Sequence, residues 1–499
     1  MNNRYDILII GSGLGGLVTG NILGKKGYKV GILEKNPAAG GCLQSFIKDG
    51  VMFDTGIHYV GGFGEGQVLN KLYDYLDVLP GLKLRKMDGE GYDRFRIGEE
   101  EFVYPIGYEK FKSKLFTYFP QELTAINKYI AIIQEIARSV SLYNLEPVEF
   151  DMQAFYNKFN YGNAWEFICS ITDNNMLRQF LAGPNSLYAG TTESAFLYIH
   201  ALISNHYIEG AYRFVDGSNQ ITEKLIEKFT DYGGELILNE KAEKFRFDDN
   251  NISSVLTKNQ SEIFAKNFIS DIHPYYMVEM IEYGKIRESY RKRIKSLRNT
   301  LSTFTLYVVL EDGKVPYMNS NYYYCPEGNV WGASNCSMEK FPEGFGLYPV
   351  ADSVDENFTR GFSVLAFMDY AEVEKWENTI PEQRGEEYEV FKEAMSQKVL
   401  NKLEEAMPGI RKHIKSYSAS TPLTLKDYTG TYRGATYGIE RDCRNPLESI
   451  LLPRTKVPNL FLTGQNLNMH GFMGVSMGAL LTCAEFTDLN QLLKDINRV

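Results

Sequence analysis

The sequence predicts an α/β fold assembled from discontinuous pieces. A parallel-sheet domain is expected from residues 1–66, 213–300 and 415–499, and an α+β domain with a helical lid from 67–212 and 301–414. Three observations predict this. An apolar strand-type run opens the chain and enters a glycine-rich turn. A second short strand, glycine turn and glycine-rich helix stands near the far end. Between them, stretches with helical period alternate with blocks of β-branched and aromatic residues.

Tyr5 to Ile10 (YDILII) is continuously apolar, as expected of a strand covered on both faces in a parallel sheet. It runs into Gly11-Ser12-Gly13-Leu14-Gly15-Gly16, then a helix-period stretch, then a strand from Lys29 to Leu33 that Glu34 closes. Each part has a physical use. Gly11 makes the tight turn, Gly13 lets backbone N–H groups approach a pyrophosphate, and Gly16 packs helix against strand. The helix N-terminus favours the anion, and Glu34 is spaced to accept a ribose 2′-OH. Strand before, helix after and acid at the right distance make this a Rossmann-type dinucleotide site.

After Glu34 come Lys35, the pair Gly40-Gly41, Cys42, and then Asp54-Thr55-Gly56-Ile57-His58-Tyr59. This succession resembles FAD-binding proteins of the two-dinucleotide-binding-domain superfamily. No second complete fingerprint follows a strand, so an NAD(P)H site must be improvised or absent, and the external reductant is open. The glycines of 62–66 lack a helix and read as a mobile loop. Near the C-terminus, Asn459 to Thr463 reads as a strand, followed by Gly464-Gln465 and the glycine-rich NLNMHGFMGVSMGALL. Such a remote segment can complete a flavin pocket with backbone donors.

Taken in order, FDTGIHYVGG, GAYRFVDGSNQ, TYRGATYGI and TGQNLNMHG resemble the phytoene desaturase and carotenoid isomerase superfamily, nearest the retinol saturase group. The chain departs from that pattern at Ala211-Tyr212 and at Gln465, which stands in place of an acid. The resemblance implies an amine-oxidase-like flavoprotein fold and FAD held by Gly11, Ser12, Gly13, Leu14, Gly15, Gly16, Glu34, Lys35, Gly40, Gly41, Cys42, Thr55, Gly56, His58, Ala242, Gly464, Gln465, Gly474, Val475 and Ser476. It also implies oxidoreduction at C=C bonds of a polyene or isoprenoid lipid, with saturation favoured. Isomerisation, desaturation, amine oxidation and a flavin-binding scaffold without turnover are the alternatives.

Composition bounds the partners. The chain has 499 residues, 44% hydrophobic and 23% charged, which excludes a disordered or fibrous protein. Its net charge of −10 argues against nucleic acid. No cysteine pair is spaced as CxxC, and no run of ~20 apolar residues exists, so a cytoplasmic protein without a membrane span or metal site is expected. The opening enters a strand at once, so no secretory leader is expected. The basic run Arg287 to Arg298 reads as a solvated helix face, or as a peripheral contact with acidic lipid at the inner membrane face.

Aromatic residues make up 13% of the chain, including 34 Tyr and 30 Phe. By themselves they indicate a large core, while the resemblance implies a channel for a hydrophobic substrate. Saturating a C=C bond needs hydride at one carbon and a proton at the other, so an acid is expected beside the flavin. The candidates are His58, Tyr59, Tyr437 and His470. Glu440 with Arg441 reads as a capping pair or as an acid at the channel mouth. Cys42 reads as a small side chain near the phosphates.

Overall fold

The computed structural model describes residues 5–148, 161–332 and 336–498. The opening run forms the strand Tyr5–Ile10, followed by the helix Leu14–Lys25 and the strand Val30–Leu33. Ile7, Leu8, Ile9 and Val30 have no solvent exposure, which is why the run carries no polar alternation. Gly11 makes its turn at φ +103°, a backbone conformation that a side chain would strain.

Five strands pair in parallel, in the order Leu460–Leu462, Glu262–Ser270, Tyr5–Ile10, Val30–Leu33, Glu235–Ile237. The strands Ala242–Asp248 and Asn251–Thr257 extend this sheet as an antiparallel meander from Glu262–Ser270. Chain order reverses direction at Tyr5–Ile10, so the C-terminal end of that strand is the switch point where such sheets open a crevice. The helices Leu14–Lys25, Asn219–Asp231 and Gly471–Cys483 pack around this end of the chain, with Leu14–Lys25 contacting both others.

A second sheet has seven strands. Its order is Ile414–Ser420, Ser302–Leu310, Gly361–Met368, Phe345–Pro349, Asn321–Cys325, Asp93–Ile97, Glu100–Tyr104. All pairings are antiparallel except Asn321–Cys325 with Asp93–Ile97. Segment 67–212 is mainly helical, and its strands Asp93–Ile97 and Glu100–Tyr104 complete this sheet; residues 149–160 lie outside the described residues. Residues 415–420 belong to this sheet rather than to the nucleotide-binding half. Asp93–Ile97 and residues 415–420 are short and take their strand state from pairing partners more than 200 or 100 residues away, which local period does not register.

The helices Tyr108–Tyr118, Leu123–Ser139, Ala164–Ile171, Asn175–Ala182 and Leu197–Glu209 form the helical cover. In Leu123–Ser139, Ile126, Tyr129, Ile130, Ile133 and Ala137 recur at helical spacing and are buried. One continuous apolar core runs from Ile7 and Ile9, under this cover, to Tyr323 and Tyr348 of the second sheet. The two halves therefore share a core.

Candidate functional site: a cavity between the two sheets

A cavity of about 880 Å³ lies where the switch point faces the second sheet. Its two ends are built differently.

The first end is backbone-lined. Ser12, Gly13, Leu14 and Gly15 form its floor, with Gly40 and Gly41 opposite. A Cβ on Gly41 would come 3.3 Å from Gly13 Cα, and one on Gly15 would come 2.5 Å from Gly464 Cα. The N-terminal and C-terminal glycine turns thus touch, and any side chain there would part them. Glu34 lines the wall. Its Oε2 accepts from Ser12 Oγ (2.5 Å) and Ser12 N–H (3.2 Å), and its Oε1 from Asn36 N–H (2.9 Å). Oε1, which accepts only one of these bonds, keeps a further lone pair for a sugar hydroxyl. Lys35 Nζ donates to Asp427 O (2.8 Å) beside it. The N-terminal turn of Gly471–Cys483 also faces the cavity, through Gly471 to Val475. Two helix N-termini therefore present their orphan N–H groups to one space.

Asp271 was not singled out from the sequence. It directly follows the strand Glu262–Ser270, beside the opening strand. Burial raises its carboxyl to about 8, against the pull of the N–H groups of Gly16 and Gly13, and Glu34 raises it further. At neutral pH it is mostly uncharged, so this acid would not repel an anion placed at the turn. The available signal was positional: a residue ending a strand next to the glycine turn must face the crevice.

The second end is lined by side chains. Tyr59, Tyr207, Tyr323, Tyr348 and Tyr437 line it, together with Leu202, Ile203, Val330, Phe341, Leu365 and Phe367. His58 stacks on Tyr348, ring centroids 4.4 Å apart, and His470 lies 4.7 Å from Tyr437. Burial drives both imidazoles down to about 3, with nearby Arg213 and Arg441 respectively adding to it, so both are neutral near pH 7. Their Nε2 and Nδ1, respectively, have no protein partner. Tyr59 Oη lies 3.0 Å from Asp93 Oδ2 and 3.0 Å from Tyr323 Oη. Tyr437 Oη donates to Ser186 O (3.2 Å).

All four expected proton donors, His58, Tyr59, Tyr437 and His470, line this cavity. So do Gly11, Ser12, Gly13, Leu14, Gly15, Glu34, Lys35, Gly40, Gly41, Cys42, Thr55, Gly56, Ala242, Gln465, Gly474 and Val475. Three expected contacts stand behind the wall. Gly16 packs on Gly11 O, Gly464 on Gly15, and Ser476 is fully buried, its hydroxyl 3.2 Å from Tyr73 Oη. Ser476 lies on the face of its helix turned to the neighbouring helix Val68–Tyr75, a distinction that a glycine-rich segment hides.

Other expectations resolve locally. Glu440 pairs with Arg298 (3.2 Å), not with Arg441. The Arg441 guanidinium donates to Ile439 O, Gln465 O and Leu467 O, tying the late blocks together; burial lowers it to about 9, still charged at neutral pH. The Cys42 thiol is pushed up to about 11 by burial, so it is no nucleophile. The 62–66 loop is anchored, with Phe63 buried and Gly62 O accepting Leu69 and Asn70 N–H. In the basic run, Arg291 is internal and holds Ile281 O and Val278 O, while Lys295 pairs with Glu279. Among the described residues, no helix is long and apolar enough to cross a membrane.

A family model described as an NAD(P)-binding Rossmann-like domain matches residues 9–76. The chain is 27% identical to all-trans-retinol 13,14-reductase of Rattus norvegicus, over 96% of this chain and 85% of that protein. It is 23% identical to prolycopene isomerase 2, chloroplastic, of an Oncidium hybrid cultivar, over 93% and 80%. Among solved structures, putrescine oxidase shares the fold at a TM-score of 0.64, with 15% identity over 99% of each chain. With its Rossmann-type turn, the chain is an oxidoreductase that is similar over nearly its whole length to all-trans-retinol 13,14-reductase and prolycopene isomerase.

Proposed function

We propose that this protein uses FAD to saturate a C=C bond of a conjugated polyene or isoprenoid lipid. The observation that carries the reading is the two-ended cavity, a glycine cradle with two helix N-termini at one end and an aromatic, apolar chamber at the other. The glycine cradle fits a dinucleotide because only backbone lines it where a Cβ would collide. Ser12 to Gly15 would hold the diphosphate, Glu34 and Lys35 the adenosine side, and Gln465 with Gly474 and Val475 the ribityl side. Bound there and reduced, FAD would supply the hydride.

The chain's own residues do the rest. The apolar walls exclude water and hold a polyene in place by contact area. The neutral imidazoles of His58 and His470 add no charge to the chamber. Tyr59 holds a proton at Oη on the chamber wall, since burial keeps its phenol well above its ordinary range. Redox-neutral isomerisation is the second reading, favoured by the full-length likeness to prolycopene isomerase. The hydrophobic substrate is the proposed partner, and a peripheral lipid contact at the basic helix Glu288–Lys295 would supply it.

The test is spectroscopic and chemical. The purified protein should show a flavin absorbance spectrum. Anaerobically reduced protein mixed with all-trans-retinol should reoxidise as one equivalent of saturated product forms. Product with the flavin still reduced indicates isomerisation. A protein that neither carries nor takes up flavin defeats the proposal.

A further inference from the structure

Behind the aromatic wall lies a carboxyl that the cavity itself does not expose. Asp93 begins the strand Asp93–Ile97, is 3% exposed, and is absent from the cavity lining. Its Oδ1 accepts from Asn321 Nδ2 (2.6 Å), and its Oδ2 lies 3.0 Å from Tyr59 Oη. Tyr59 Oη is in turn 3.0 Å from Tyr323 Oη, and both phenols line the chamber. Asp93, Tyr59 and Tyr323 thus form an unbroken file of oxygens from the second sheet to the substrate space.

The surroundings are unusual for a structural carboxylate. Buried carboxylates in proteins are ordinarily paired with a cation. Here the buried Arg213 guanidinium donates from Nη2 to Asn321 Oδ1 (2.9 Å) and from Nη1 to Pro349 O, not to Asp93. Asn321 is thereby oriented to donate to Asp93, and the positive charge stays one residue away. The other titratable groups facing Asp93 and this file include the phenols of Tyr92, Tyr104, Tyr207 and Tyr348, all held neutral by burial. Burial raises the Asp93 carboxyl to about 7, against Asn321, Tyr59 and Arg213, which lower it. An acid held near neutrality suits proton supply.

We infer that Asp93, Tyr59 and Tyr323 form a proton-delivery file into the chamber, with Tyr59 the catalytic donor to substrate carbon and Asp93 the positioning residue that restores its proton. The inference rests on the proposed saturation reaction and deepens it. With reduced flavin bound, one carbon of the double bond would take its hydride. Its neighbour takes the proton of Tyr59 Oη, so one C–H bond forms as the O–H bond breaks. Asp93 passes its carboxyl proton to Tyr59 and is left as a carboxylate facing Asn321 Nδ2. A solvent proton resets Asp93 between turnovers. Tyr323 fixes the second lone pair of Tyr59 and so orients its O–H.

The experiment uses the flavin-loaded full chain with all-trans-retinol as probe. Asp93→Asn and Tyr59→Phe should retain flavin and its spectrum, yet slow anaerobic flavin reoxidation by about 100-fold or more. Tyr323→Phe should slow it less. In the unsubstituted protein the rate should fall as pH rises through about 7, and Asp93→Asn should flatten that profile. A flavin-loaded Asp93→Asn protein with unchanged rate and profile overturns the inference. A second readout needs no turnover. Infrared difference spectra should show a buried carboxyl band that titrates near neutrality, disappears in Asp93→Asn and moves in Tyr59→Phe. If retinol is not turned over at all, the substrate reading fails. The infrared band then decides the file by itself: a band titrating between about pH 5 and 9 that neither Asp93→Asn nor Tyr59→Phe alters, as Asp271 would give, overturns it, and so does the absence of any such band. If Asp93→Asn does not fold, displacement of the band in Tyr59→Phe and Tyr323→Phe carries the decision.

Discussion

The two ends of the cavity solve opposite problems. The cradle of Gly11 to Gly15, Gly40 and Gly41 recognises through backbone N–H groups, so its requirement is the absence of side chains. The tyrosine chamber presents side chains instead, Tyr59 and Tyr437 together with those brought from Asn321–Cys325, Phe345–Pro349 and the helix Leu197–Glu209. A backbone site tolerates little variation in residue size and much in charge, because burial neutralises Asp271. A side-chain site tolerates variation in shape and little in hydrogen-bond pairing, because each polar atom has been removed from water.

The sharpest break in that comparison is Gly15→Val. Its side chain would meet Gly464, separating the two glycine turns. Flavin affinity should drop by about 100-fold, read from the absorbance of the purified protein, while secondary structure by circular dichroism persists. Retained tight binding would mean that the turns are not in contact.

At the other end, Arg213→Met removes the fully buried donor to Asn321 and Pro349. We expect it to destabilise the fold by about 3 kcal/mol in chemical denaturation. A change under about 0.5 kcal/mol, as surface substitutions give, would show that the polar network is not structurally coupled.

Acid–base behaviour sharpens the contrast further. The folded-state value of Asp93, about 7, lies above its ordinary 3.8, so folding favours the protonated form. That contribution is complete below about 3.8 and is lost as pH rises through about 7. His58 and His470 run the other way, because folding lowers both to about 3. Their contribution is present above about 6.5 and is lost as pH falls toward 3. Melting temperatures across pH should therefore show Asp93→Asn gaining on the unsubstituted protein as pH rises from 5 to 8; a constant difference would contradict the burial of this acid.

Smaller effects belong to the cradle. Flavin binding should weaken by up to about tenfold as pH rises past 8 and Asp271 ionises, and Asp271→Asn should remove that dependence. Smallest of all, Cys42→Ala should leave flavin affinity within about twofold, since the neutral thiol contributes only bulk.

The cradle was legible because its logic is local. A buried strand, a turn that needs positive φ, a helix N-terminus and an acid at fixed spacing sit within 34 residues, and each imposes its own residue type. The late strand and glycine helix were legible for the same reason, as were Tyr59 and His58 just beyond the DTG turn. Asp93 was not, since nothing in GYDRFRI marks a carboxyl that Tyr59 and Asn321 reach across 34 and 228 residues. Nor was the strand Asp93–Ile97 inside a helix-rich segment, which pairs with the distant strand at 321–325 and carries Glu100–Tyr104 as its hairpin partner.

By itself, then, the sequence determined an α/β dinucleotide-binding half, its glycine turns and an aromatic-rich remainder, because backbone constraints and hydrophobic period are written in neighbouring residues. Only the tertiary structure decided which tyrosines share one chamber, that burial raises the carboxyls of Asp271 and Asp93, and that Glu440 faces Arg298 rather than Arg441. Protonation and pairing depend on desolvation and on partners from distant strands, and those come into being when the chain closes on itself.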